Sequence, residues 1–169
     1  MQTPIIIIGA GLAGYQLARE FRKLDPTTPL TIITADDGKY YSKPLLSTAL
    51  TSGKTAEMLH TATAENMAEQ LNARILAHQS VTAIDAINKT ITANNQTISW
   101  SRLILACGAD IIKPPIEGNA AAEILSINHL YHYAEFRELL TNKKRIAIFG
   151  AGLIGCEFAD DLVAGRHRV

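Results

Sequence analysis

Ile5-Ile6-Ile7-Ile8-Gly9-Ala10-Gly11-Leu12-Ala13-Gly14 is the stretch that decides how this chain folds. Four consecutive β-branched residues stopping at a glycine are the pattern of a strand buried on both faces. Beyond it, Leu17, Phe21 and Leu24 recur at helical spacing, with Arg19, Glu20, Arg22 and Lys23 on the other faces. Asp25-Pro26 ends that helix, and Leu30 to Ile33 is a second apolar run. The order is therefore β-α-β, with a GxGxxG in the first turn.

In that setting each glycine has a physical task. Gly9 makes the tight turn, Gly11 lets the backbone approach a pyrophosphate, and Gly14 allows the helix to pack close to the strand. Phosphates then lie against free N–H groups at the positive end of the helix, beside Leu12 and Ala13. An acidic residue is expected about 20 residues on, to accept from a ribose hydroxyl. Asp36, 22 residues past Gly14, stands there, with Asp37 beside it as a substitute. The alternative is that Asp36 is a solvated loop aspartate.

Further along, residues 37–55 read as a loop holding a short helix, and about 62–72 as another helix. Val81 to Asp85, Thr90 to Ala93 and Thr97 to Trp100 form a small antiparallel meander, with Asn94-Asn95 as its hairpin turn. Leu103 to Leu105 is a buried strand, and Lys113-Pro114-Pro115 a stiff connector. A helix over 132–141, a strand from Arg145 to Phe149 and a helix from Leu153 to Ala164 follow. The last two flank Gly150-Ala151-Gly152-Leu153-Ile154-Gly155, a second GxGxxG. Two such turns in matching contexts imply two dinucleotides, and hydride transfer between nicotinamide and flavin is the commonest reason to hold two.

Composition agrees with an enzyme-like globular chain. Hydrophobic residues make up 47%, enough for a core. Sixteen basic residues balance sixteen acidic ones, which gives no pull toward nucleic acid or an anionic membrane. No secretory signal pattern precedes the first strand, no apolar run reaches the ~20 residues of a membrane span, and a cytoplasmic location is expected. Cys107 and Cys156 fit no metal-ligand spacing and read as small buried hydrophobes. His129-x-x-His132 lacks the third ligand of a metal site.

Taken together, these residues resemble the pyridine-nucleotide-dependent flavoprotein reductases, the glutathione-reductase-like superfamily. The shared features are strand-GxGxxG-helix, the meander, a strand ending in Ala106-Cys107-Gly108, and a second GxGxxG followed by Glu157. Within it, Tyr41-Ser42-Lys43-Pro44-Leu45-Leu46-Ser47, Ala18 to Leu24 and Gly152 to Ala159 look most like the bacterial rubredoxin reductases and their flavorubredoxin reductase relatives.

The resemblance implies an α/β fold with a Rossmann-like FAD-binding unit over 1–110, a linker over 111–118 and the start of an NAD(P)H-binding unit over 119–169, opening near residue 144. It implies that Lys43, Val81, Ala106 and Gly108 join Gly9, Gly11, Leu12, Ala13, Gly14 and Asp36 at FAD. Gly150, Gly152, Leu153, Ile154, Gly155 and Glu157 would form the nicotinamide-dinucleotide site. A solvated lysine and a helix-dipole glutamate are the alternatives for Lys43 and Glu157.

The disulfide reductases of this superfamily carry a Cys-x4-Cys pair in the region where residues 40–55 hold no cysteine. Electrons would therefore leave the flavin directly for a small iron protein, with rubredoxin the expected partner. Thr48 stands where many ferredoxin reductases of this branch place a lysine. The chain is expected to be the N-terminal part of a longer protein. The other readings are a truncated, non-catalytic dinucleotide-binding fragment and a ferredoxin- or nitrite-reductase-type electron carrier.

Overall fold

The structure is a computed structural model that describes residues 2–143 and 145–169; Met1 and Lys144 lie outside the described residues. In chain order the elements begin with β1 (Ile5–Ile8), α1 (Leu12–Leu24), β2 (Leu30–Ile33), β3 (Tyr40–Tyr41), α2 (Ala56–Leu59), β4 (His60–Ala62) and α3 (Ala64–Gln70). They continue with β5 (Arg74–Leu76), β6 (Val81–Asp85), β7 (Thr90–Ala93), β8 (Gln96–Ser99), β9 (Arg102–Leu105), α4 (Leu130–Leu140) and α5 (Leu153–Ala164). A short 3-10 helix spans Lys43–Ser47. The chain divides into two compact units, one of Met1–Tyr41 with His60–Ala109, the other of Ser42–Leu59 with Asp110–Val169.

The first unit is a parallel sheet in the order β5-β2-β1-β9. Ile5 pairs with Leu30 and with Arg102, and the register holds to Ile8, Ile33 and Leu105. Alternation divides the β1 and β2 side chains between the two faces of the sheet. Ile7, Leu30 and Ile32 pack with Tyr15 and Ala18 of α1 and Met67 of α3. Ile6 and Ile33 pack instead with Ile91 and Ala93, with Trp100 and Val81 against them. Helices thus cover one face and the β6-β7-β8 meander the other, so an unbroken isoleucine run satisfies both. Asn94 and Asn95 turn the β7–β8 hairpin at φ 44° and 63°, the left-handed pair that a two-residue type I′ turn demands.

Three details depart from the sequence reading. In α1, Leu17 and Leu24 are exposed, while Gly14, Tyr15 and Ala18 form the buried stripe. Close approach to β1 selects glycine and alanine for the contact face and turns the leucines outward. β5, three residues long, extends the sheet beyond β2, and a run so short carries no periodicity to read. Lastly, the stretch from Arg145 to Phe149 is not a laddered strand. Arg145 makes an isolated parallel bridge with Arg168, and Ile146 N–H donates to Arg168 O at 2.8 Å. Among the described residues this short contact is its pairing, and Phe149 is left exposed.

In the second unit, α4 buries Leu130, Tyr133, Phe136 and Leu140, one helical stripe. Phe136 meets Phe158 of α5 edge-on, ring centroids 5.7 Å apart. The segment Ser42–Leu59, which the sequence places with the first unit, packs here and contributes the buried residues Leu46, Ala49 and Leu59. Among the described residues no helix is long and apolar enough to cross a membrane.

Candidate functional site

Parallel alignment of β1, β2 and β9 places their carboxyl ends along one edge, where doubly wound sheets hold their ligands. Gly9 follows β1 there at φ +111°, a backbone conformation that side chains rarely adopt. A Cβ on Gly9 would lie 2.1 Å from Ala106 O, so the turn rests directly on the backbone that leaves β9. Gly9 N–H donates to Ile33 O and Ala106 N–H to Ile8 O, at 2.8 and 2.7 Å.

Gly14 is the point of closest packing between α1 and the turn. A Cβ there would stand 2.0 Å from Gly9 O. Gly11 differs: it caps α1 with extended backbone, and a Cβ on it would have no atom within 4 Å. No side chain caps the helix, so its first-turn N–H groups adjoin that open space. Gly9 thus makes the turn, Gly14 the close packing, and Gly11 borders open space.

The remaining candidates of the first unit gather on the same edge. Asp36 is half-buried just past β2; its N–H donates to Thr34 Oγ1 at 3.3 Å, and its carbonyl accepts His78 N–H at 2.9 Å. Gln79 N–H reaches Thr34 O at 2.9 Å, which brings the start of β6, and Val81, beside the end of β2. Asp37 is exposed and pairs with Lys39 at 3.4 Å. Ala106 is half-buried; Gly108 follows at φ +73° with open space around it. Behind the turn, Tyr15 is fully buried, and its hydroxyl donates to Gly38 O at 2.5 Å. Burial, with Asp37 and Glu65 adding to it, pushes the Tyr15 phenol well above its ordinary value.

The second unit repeats the glycine pattern without the strand backing: a Cβ on Gly150 would meet nothing within 4 Å, where one on Gly9 meets Ala106. Gly150 has φ +115°, and a Cβ on Gly155 would fall 2.4 Å from Gly150 O. Gly152 caps α5 with φ −74° and ψ 172°, and a Cβ there too would have nothing within 4 Å. Leu153 and Ile154 are exposed in the first turn. Glu157 lies one turn further on, and its Oε2 accepts from Ser47 Oγ at 2.5 Å. Lys43 opens the 3-10 helix of the same unit.

Sequence reasoning misplaced the cysteines: Cys107 and Cys156 are both exposed. Each follows a small residue at the rim of a glycine turn, outside the cover of the neighbouring element. It also passed over Ser47 and Asp161. Asp161 is 6% exposed and accepts from Leu50 N–H and Thr51 N–H. Its spacing of four from Glu157 on one helix face was the available signal. Among the described residues no group of three or more His, Cys, Asp or Glu gathers as a metal site.

Two glycine turns of matching spacing, each opening an uncapped helix, mark two candidate dinucleotide sites. The chain belongs to the pyridine nucleotide-disulphide oxidoreductase family, whose model matches residues 3–169. It is 49% identical to a rubredoxin-NAD(+) reductase of Alcanivorax borkumensis over 98% of its length, and covers 44% of that protein. It is 37% identical to a nitric oxide reductase FlRd-NAD(+) reductase of Vibrio vulnificus over its whole length, again covering 44% of the relative. Among solved structures, NADH:rubredoxin oxidoreductase from Clostridium acetobutylicum superposes with a TM-score of 0.82 at 25% identity, over 99% of this chain and 43% of that one. The chain thus spans less than half the length of these relatives.

Proposed function

We propose that this chain supplies the FAD site and the opening of the NAD(P)H site of a reductase that passes electrons from NAD(P)H through FAD to a small iron protein, rubredoxin foremost. The observation that carries the reading is the equivalence of the two turns. Gly9, Gly11 and Gly14 match Gly150, Gly152 and Gly155 in positive φ, in open space beside the helix cap, and in close packing of the third glycine on the first. The relatives described as acting on rubredoxin or flavorubredoxin support the choice of acceptor.

In this reading FAD lies on the first unit's edge. Gly9, Gly11, Leu12, Ala13 and Gly14 face its pyrophosphate, Asp36 a ribose hydroxyl, and Val81 the adenine side. Ala106 and Gly108 pass close to the cofactor because neither carries a bulky side chain. Lys43 contacts the flavin. NAD(P)H lies against Gly150, Gly152, Leu153, Ile154 and Gly155, with Glu157 near its nicotinamide. The first unit is the FAD-binding domain and the later part of the chain the beginning of the NAD(P)H-binding domain; the protein works in the cytoplasm.

Bound flavin supplies the chemistry by taking a hydride and giving up its electrons singly. The polypeptide binds and orients, and no side chain need act as nucleophile or general base. The absence of a cysteine from residues 40–55 is consistent with electrons leaving the flavin without a protein disulfide.

The test is anaerobic reduction of rubredoxin by the full-length protein with FAD and either NADH or NADPH, with a ferredoxin as the competing acceptor. Fast rubredoxin reduction that stops when flavin is removed is expected. Preferred reduction of ferredoxin would shift the assignment to the ferredoxin-type carriers, and no flavin-dependent NAD(P)H oxidation would overturn it.

A further inference from the structure

The excursion Ser42–Leu59 is held to the two helices of the second unit by polar anchors at three places. Ser47 Oγ donates to Glu157 Oε2 at 2.5 Å. Leu50 N–H and Thr51 N–H donate to the two carboxylate oxygens of Asp161, at 2.7 Å to Oδ2 and 2.8 Å to Oδ1, and the Thr51 hydroxyl bonds Oδ1 as well. Lys54 O accepts from the Tyr133 hydroxyl at 3.1 Å and from Arg137 at 2.9 Å. Glu157 and Asp161 stand one turn apart on α5, so one helix face holds both ends of Ser47–Thr51.

Asp161 is the firmer of the two anchors. It is buried, and one carboxylate takes two consecutive backbone donors with separate oxygens. A carboxylate presents an acceptor oxygen to each donor, whereas an amide presents one oxygen and an NH2 group. The side chain of Leu50 also lies against the end of α5, where a Cβ on Gly165 would meet it at 3.0 Å.

We infer that Asp161 is a positioning residue for the hydride transfer proposed above, and the inference rests on that reading. Its carboxylate fixes the segment Lys43–Thr51 on α5. That segment carries Lys43, assigned to the flavin, while α5 carries the glycine turn and Glu157, assigned to the nicotinamide. The clamp sets the distance between these two groups of contacts. Both of its carboxylate oxygens are taken by Leu50 and Thr51, so it governs the rate of transfer rather than the affinity for NAD(P)H.

The test uses the full-length protein with FAD, unsubstituted and as Asp161→Asn, with Thr51→Val as a milder variant that removes one donor. Amide hydrogen exchange reads the clamp, dinucleotide titration reads affinity, and single-turnover flavin reduction reads transfer. In Asp161→Asn, exchange at Leu50 and Thr51 should rise roughly tenfold to a hundredfold, the worth of a hydrogen bond to a charged group. The transfer rate should fall at least about tenfold with the dinucleotide Kd within about twofold. Thr51→Val should move both readouts in the same direction and less far.

Faster exchange with unchanged transfer would make Asp161 merely structural and overturn the inference. Unchanged exchange would show that the clamp is not made and overturn it also. If Asp161→Asn does not fold, the same outcomes in Thr51→Val decide. Absence of flavin reduction in the unsubstituted protein would instead sink the functional reading, and the inference with it.

Discussion

Replacing Gly14 and Gly11 by alanine should separate folding from ligand binding. At Gly14 the new Cβ would lie 2.0 Å from Gly9 O, about 1.4 Å short of ordinary contact at 3.4 Å. The obstacle is backbone, which cannot rotate away, so α1 must lift from β1 and loosen the packing of Tyr15 and Ala18. Overpacking costs ~1–3 kcal/mol, and a backbone obstacle puts this site at the upper end. Better helix propensity returns about 1 kcal/mol. The net loss is about 2 kcal/mol, which for a chain of this size lowers Tm by roughly 4–8 °C.

At Gly11 the backbone is already extended and nothing lies within 4 Å, so an alanine fits the fold at a cost of ~1 kcal/mol or less. It does, however, fill the space beside the helix N–H groups. The FAD Kd of Gly11→Ala should therefore rise at least about tenfold, ~1.4 kcal/mol. Calorimetry of flavin-free protein and titration of flavin fluorescence measure the two effects. A Gly14→Ala protein that melts with the parent, or a Gly11→Ala protein that binds FAD as tightly, would refute the reasoning.

Two further perturbations test the frame around the turn. Tyr15→Phe leaves the buried Gly38 carbonyl without its donor and should cost ~1–3 kcal/mol, read as a lower urea midpoint; an unchanged midpoint would contradict the role given to that bond. Hydrogen bonds from the Thr28 side chain, then from the Thr28 and Thr27 backbone, hold the Asp25 carboxyl down at about 2. A depressed carboxyl stabilises the folded state above its unfolded pKa and loses that contribution as pH falls through the folded value. Amide protection around Thr27 and Thr28, taken relative to the unstructured exchange rate at each pH, should thus be highest above about pH 4 and fall between roughly pH 4 and pH 2, a dependence that Asp25→Asn should abolish.

Where local pattern and tertiary need coincide, the sequence was legible. β2 and α5 lie at the predicted residues, and Asn94-Asn95 turns the expected hairpin, because each depends on neighbours in the chain. The Gly9 turn was readable for the same reason. What escaped depends on partners far along the chain. Leu17 and Leu24 satisfy helical spacing, yet the sheet chooses Gly14 and Ala18 for closeness, a demand hydrophobicity does not express. β5 is too short to show a period. The packing of Ser42–Leu59 in the second unit depends on distant partners such as Asp161, more than a hundred residues away, whose neighbour Asp160 is an ordinary exposed acid of the same type. Cys107 and Cys156 looked buried because cysteine usually is, but turn rims expose them.

If the two turns hold different dinucleotides and electrons pass from the second to the first, weakening one site should leave the other intact. The most direct measurement is anaerobic mixing of NADH or NADPH with the FAD-loaded full-length protein and its Gly152→Ala variant, with flavin absorbance followed through one turnover. Rapid flavin bleaching is expected in the parent. Gly152→Ala should retain its FAD yet require at least about tenfold more NAD(P)H to reach the same rate. Bleaching in the variant at the parent's rate and NAD(P)H concentration, or loss of FAD from it, would overturn the assignment of the two turns.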